Sequence, residues 1–175
     1  MSQNLYLIGL MGVGKTTVGK RLAKLCGLEF LDTDHELERL TGVSIDLIFD
    51  IEGEAGFRRR ETELLRVLSA EGGCVIATGG GIVLSEENRR LLRKSGSVIY
   101  LRASPELLWE RTRHCKNRPL LQRDNPRQVL RDLHREREPL YLAEADLVVD
   151  VTRNSAAALA KSIHNRLPSA GLARE

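Results

Sequence analysis

Short apolar runs alternate with longer amphipathic stretches along almost the whole chain. Leu5-Tyr6-Leu7-Ile8 is a run of strand type that stops at glycine, and 16–25 follows with Val18, Leu22 and Leu25 at helical spacing. A second strand is predicted at 28–31, then helices over about 34–40, 45–51 and 54–70. Cys74-Val75-Ile76-Ala77 reads as a third strand and ends in Thr78-Gly79-Gly80-Gly81. A helix is predicted at 86–94, with Ser85 as its N-cap. The fourth strand falls at 97–101, and Ser104-Pro105 opens the next helix with proline at its first position. The stretch 113–125 is polar and basic and contains Pro119. A helix over about 126–142, a fifth strand at 145–151 and a last helix at 155–167 complete the pattern.

Strands that alternate with helices give an α/β fold with a parallel sheet. Runs such as CVIA and SVIYL are apolar throughout, as strands covered on both faces are. Ligands in this architecture bind at the carboxyl ends of the strands, so the informative residues are those just after each strand. A single domain over 1–170 is expected, with 171–175 as a frayed tail. No internal repeat or low-complexity segment is present.

Composition narrows the class. The 175 residues are 42% apolar and 29% charged, which is ordinary for a soluble domain. Aromatics make up only 4%, so the core is expected to rest on Leu, Val, Ile and Ala. A net charge of +3 does not suggest a nucleic-acid or membrane-surface protein. Cys26, Cys74 and Cys115 are odd in number and widely spaced, which argues against a disulfide framework or a zinc site. The N-terminus lacks the features of a signal peptide, and no apolar run approaches the roughly 20 residues that span a bilayer. A cytoplasmic monomer is expected.

Gly9-Leu10-Met11-Gly12-Val13-Gly14-Lys15-Thr16 matches the phosphate-binding loop GxxxxGK[ST] without a gap. Each part has a task. Glycines allow positive φ, so that backbone N–H groups turn inward toward phosphate oxygens. The helix that follows presents its positive dipole end to the same oxygens. Lys15 can reach the β- and γ-phosphates, and Thr16 can ligate Mg²⁺. Without an NKxD-type guanine-reading motif a GTPase is not indicated, and the chain is short for a motor domain. A kinase with a second substrate site is the expectation.

Four features bear on that second site. Asp32-Thr33-Asp34 follows the second strand; one carboxylate can face the Mg²⁺ region and the other an acceptor hydroxyl, while helix capping by Asp32 or Thr33 is equally compatible. Arg58 and Glu61, three apart, share a helical face, either as a surface ion pair or as an arginine fork held ready for a carboxylate. Gly79, Gly80 and Gly81 permit close backbone approach and expose N–H donors. Residues 111–137 hold nine Lys/Arg against three Asp/Glu, a charge excess suited to a flap that neutralises a polyphosphate; Arg127 and Arg131 read as a solvated face. Arg118, beside Pro119, sits where such a flap would close over ATP.

Taken together, GLMGVGKTTVGKRLA, FLDTDHELE, GEAGFRRRE, ATGGGIV, RPLL at 118–121 and REPLY at 137–141 resemble the shikimate kinases over nearly the whole length. The resemblance implies a P-loop fold like the nucleoside monophosphate kinases, with a five-stranded parallel sheet, a substrate-binding segment at about 32–61 and a mobile lid at about 112–125. It implies transfer of the γ-phosphoryl group of ATP to the 3-hydroxyl of shikimate, with Mg²⁺. Asp34 would bind the substrate hydroxyls and act as base. Arg58 and Arg137 would grip the carboxylate, with Glu61 orienting Arg58 and Gly79, Gly80 and Gly81 along the substrate. Gly12, Val13, Gly14, Lys15, Thr16 and Thr17 would hold the phosphates. Thr16 and Asp32 would serve the metal. Arg118 would contact ATP from the lid, and Arg153 would lie near adenine. Rival readings are another small-molecule kinase, such as a gluconate kinase, or a nucleotide-binding module without catalysis. No nucleic acid or membrane is implied as a partner.

Overall fold

The computed structural model describes residues 3–114 and 125–167. Five strands form one all-parallel sheet: β1 (Asn4–Ile8), β2 (Glu29–Asp32), β3 (Cys74–Ala77), β4 (Gly96–Arg102) and β5 (Leu147–Asp150), in the order β2-β3-β1-β4-β5. Among the described residues, seven α-helices flank them: α1 (Lys15–Cys26), α2 (Thr33–Thr41), α3 (Ile45–Glu71), α4 (Glu86–Ser95), α5 (Pro105–Thr112), α6 (Pro126–Glu144) and α7 (Ala156–Arg166). One 3-10 turn spans Ile82–Leu84. β1 and β3 are buried at every position, which is why their sequences run apolar rather than alternating. Among the described residues, no helix is long and apolar enough to cross a membrane.

The two helices expected at 45–51 and 54–70 form one run broken at Gly53, whose φ of 68° and ψ of −176° no helix contains. β5 is shorter than the expected 145–151, because Ala145 serves as the C-cap of α6. β2 ends one residue later than expected, on Asp32, which is also the N-cap of α2.

The core departs from the expectation of an aliphatic interior in one respect. All three tyrosines, Tyr6, Tyr100 and Tyr141, are among its largest fully buried side chains. Each hydroxyl needs a partner at that depth or location. Tyr6 shares a 2.6 Å hydrogen bond with Ser95 Oγ and accepts from the buried Asn4 amide at 3.1 Å. The same Asn4 amide donates to Leu68 O at 3.0 Å, and its carbonyl accepts from Cys74 N at 2.9 Å. That network fixes the amino ends of β1 and β3 to α3 and α4. The opposite, carboxyl ends carry the candidate chemistry.

Candidate active site

Strand register decides which loops meet. Leu7 of β1 and Asp32 of β2 both pair with Ala77 of β3. The glycine loop after β1, Asp32-Thr33-Asp34 at the end of β2 and Gly79–Gly81 after β3 are therefore neighbours.

The glycine loop has the form the sequence implies. Gly9, Gly12 and Gly14 hold φ of 143°, 81° and 102°, a region that L side chains rarely enter. Gly14 caps α1 with no side-chain hydrogen bond, whereas Ser44, Ser85, Ser104 and Ser155 each accept from the helix they precede. The first N–H groups of α1 thus face a position suited to an anion. Lys15 Nζ lies over the loop, donating to Gly9 O at 2.6 Å and Leu10 O at 3.0 Å.

Asp32 supports both readings given to it. Its Oδ1 accepts from Asp34 N at 3.1 Å and His35 N at 3.2 Å, capping α2. Its Oδ2 accepts from the Thr16 hydroxyl at 2.6 Å. Two hard oxygen donors thereby meet at the mouth of the phosphate loop. Asp34 lies deeper. Burial raises its pKa and the nearby Asp32 charge adds to this, while Lys15 and Arg58 act in the opposite direction.

Arg58 and Glu61 are not a solvated pair. Arg58 Nη1 donates to Glu61 Oε2 at 2.8 Å, with the Glu61 side chain 0% exposed and that of Arg58 21% exposed. Burial raises the pKa of Glu61, against the pull of Arg58. The Arg58 guanidinium also sits 5.1 Å from the Phe57 ring centre, and Phe57 stacks on Phe49 at 4.6 Å.

Crowding, not unusual φ, requires glycine at 79 and 81, while Gly80 lies at ordinary contact distance from its neighbours. A methyl on Gly79 would stand 2.7 Å from Glu61 Oε1 and 3.3 Å from Asp34 Oδ1. One on Gly80 would stand 3.5 Å from Gly9 O, 3.6 Å from Met11 N and 3.6 Å from Arg137 Nη1. One on Gly81 would collide with the Arg58 guanidinium. The turn thus threads between two arginines, a carboxylate pair and the phosphate loop. One expectation needs correction: Gly79 N is not an exposed donor, because it is already bound to Thr33 Oγ1 at 3.0 Å. Gly81→Ala is expected to displace Arg58, raising KM for an anionic acceptor while leaving KM for ATP unchanged; steady-state kinetics with each substrate varied checks this.

Arg137 is buried on α6 at 5% exposure, and its Nε, like that of Arg58, has no hydrogen-bond partner. Arg153 is exposed in the loop between β5 and α7. Arg118, Cys115 and most of the expected lid lie outside the described residues. Arg127 and Arg131 are exposed, as a solvated face requires, with Arg127 5.5 Å from the Trp109 ring and Arg131 3.6 Å from Glu106.

A family model for shikimate kinase matches residues 11–168. The chain belongs to the shikimate kinase family. It is 56% identical over 164 residues to the shikimate kinase of Thiobacillus denitrificans, covering 94% of this chain and 90% of that protein. The solved structure of shikimate kinase from Acinetobacter baumannii in complex with shikimate is 48% identical, with a TM-score of 0.91 over 96% of this chain and 97% of that one. The shikimate kinase of Aquifex aeolicus is 36% identical with a TM-score of 0.80, covering 91% and 93%. As a member of the shikimate kinase family this chain is an ATP-dependent phosphotransferase with an alcohol acceptor.

The site in this chain also includes contacts that no motif specifies. Thr33 holds the glycine turn, as above. Tyr141 donates its hydroxyl to Gly80 O at 2.5 Å. Arg111 donates to Val13 O at 3.1 Å and Thr152 O at 3.3 Å, joining the phosphate loop to the β5–α7 loop. Phe49 and Phe57 supply an apolar wall beside Arg58. Thr33, Phe57, Arg111 and Tyr141 lie within segments that the sequence marks, whereas Phe49 does not.

Proposed function

We propose that this chain transfers the γ-phosphoryl group of ATP to the 3-hydroxyl of shikimate, giving shikimate 3-phosphate and ADP. The observation that carries this is the Gly79–Gly81 turn, which brings Arg58, Arg137, Asp34 and the phosphate loop to one place. Shikimate is small, hydroxylated and anionic. Two guanidiniums with buried, unsatisfied N–H donors suit its carboxylate, and a forked charge-assisted pair is among the stronger contacts a protein offers. Asp34, near the phosphate loop, suits the hydroxyl end. Its raised pKa favours its taking a proton as the hydroxyl oxygen attacks phosphorus. The proton then rests on the Asp34 carboxylate, and the bond from γ-phosphorus to the bridging oxygen breaks to leave ADP.

In the donor half, Gly12, Val13, Gly14, Lys15, Thr16 and Thr17 hold the phosphates through backbone N–H groups and the Lys15 ammonium. Arg118 and Arg153 contact ATP from the lid and the β5–α7 loop. Mg²⁺ fits the Thr16–Asp32 oxygen pair, because it takes few protein ligands and completes its shell with phosphates and water. When bound it neutralises charge on the β- and γ-phosphate oxygens. Both halves come from one chain, consistent with action as a monomer. The rival acceptor gluconate is also anionic, but it is a flexible open chain, whereas the wall of Phe49 and Phe57 favours a carbon ring.

Phosphorus NMR of the product formed from ATP and shikimate tests the reading: a resonance coupled to the proton at carbon 3 is expected, and phosphorylation elsewhere, or none, contradicts it. Arg58→Ala is expected to raise KM for shikimate by roughly 10- to 100-fold, with a much smaller change in kcat, since it removes a contact made equally in ground and transition states. An unchanged KM would remove Arg58 from the clamp.

A further inference from the structure

We propose that Tyr141 is a positioning residue for the acceptor site: its hydroxyl ties Arg137 to the Gly80 peptide and so sets preference for a carboxylate. The inference rests on the reading of Arg137 as a carboxylate grip. Arg137 and Tyr141 are four apart on α6 and so share one face. Tyr141 is 0% exposed and stacks on Tyr100 of β4 at 4.9 Å, which fixes the ring. Its hydroxyl donates to Gly80 O at 2.5 Å, across 61 residues of chain. The Arg137 guanidinium acts on the same hydroxyl.

Gly80 is the peptide where donor and acceptor halves touch, as a methyl there would lie 3.5 Å from Gly9 O and 3.6 Å from Arg137 Nη1. Whatever fixes that peptide fixes the distance between the guanidinium and the phosphate loop. Pro139 lies between Arg137 and Tyr141 and removes one backbone donor from the helix at that point. A tie from outside the helix is therefore the stiffening element next to the clamp. Burial keeps the phenol protonated, with a pKa pushed up to about 12, so the hydroxyl remains a donor throughout the working pH range.

The test compares wild type, Tyr141→Phe, Arg137→Lys and a protein carrying 3-fluorotyrosine at position 141. Each is assayed with ATP and shikimate, and with the neutral carboxamide of shikimate. Tyr141→Phe keeps the ring on Tyr100 and loses only the hydroxyl. It is expected to raise KM for shikimate roughly 5- to 20-fold, with kcat within about threefold and KM for ATP within about twofold. The preference for shikimate over the carboxamide should fall by a similar factor. The 3-fluorotyrosine protein retains the hydroxyl and should stay near wild type. An unchanged shikimate KM in Tyr141→Phe overturns the proposal. So does an equal loss for both acceptors, which means that the hydroxyl sets no preference for a carboxylate, or a fluorotyrosine protein as impaired as the phenylalanine variant, which means that the ring contacts rather than the hydroxyl set the KM. If Arg137→Lys changes neither shikimate KM nor the preference, the carboxylate-grip reading itself fails, and the proposal with it.

Discussion

Lys15→Met is expected to lower kcat by about 10²- to 10³-fold and to weaken ATP binding, with little change in thermal stability. The ammonium is held 2.6 Å from Gly9 O and 3.0 Å from Leu10 O. Those carbonyls keep Nζ directly over the loop, so phosphate oxygens can replace them without a search through rotamers. Charge on the transferred group is spread over its equatorial oxygens in the transition state, and a preplaced cation stabilises that state more than the ground state. Methionine keeps the apolar stem and removes only the charge. Single-turnover kinetics and a thermal melt separate the two effects. Near-normal turnover in a folded Lys15→Met protein would contradict the assignment of the loop.

Asp34→Asn should cost about 10²- to 10⁴-fold in kcat, with KM for ATP unchanged. The amide keeps the shape and one acceptor oxygen but cannot take the proton. The same variant is expected to be more stable. Burial disfavours the ionised form of Asp34 and Asp32 adds to the cost, so its folded pKa lies above the unfolded value. A raised carboxylate pKa means that the native state binds the proton more tightly than the unfolded chain does. Ionisation at neutral pH therefore opposes folding, and the neutral amide removes that opposition. Because the Asp34 side chain is exposed, solvent screens much of that cost, and the rise in melting temperature should be small. A variant that is both inactive and less stable would show that Asp34 is held in place for structure.

Much of the donor half could be read directly, because a phosphate loop is contiguous: its glycines, lysine and threonine fall within eight residues, and the two glycines the motif requires, Gly9 and Gly14, both hold positive φ. Arg58 and Glu61 were legible as a pair because helical spacing alone brings them together, although their burial was not. The acceptor half was legible in its residue types and only partly in its geometry. Thr33, Tyr141 and Arg111 act on partners 46, 61 and 98 residues away, and no local pattern marks such contacts. The glycine turn illustrates the limit. Its residue type indicated close approach by a ligand; the structure shows the chain's own Arg58 and Glu61 packed against it, and that Gly79 N is spent on Thr33 depends on the pairing of β2 with β3. The buried tyrosines depend in the same way on tertiary partners rather than on composition.

The most direct test of the account is ADP release measured with ATP and Mg²⁺ while the acceptor is varied among shikimate, gluconate and nucleoside monophosphates. Fast, saturable release with shikimate alone, at least about a hundredfold above the others in kcat/KM, is predicted. Equal or greater release with gluconate or a nucleoside monophosphate, or release that shikimate does not stimulate, would contradict it.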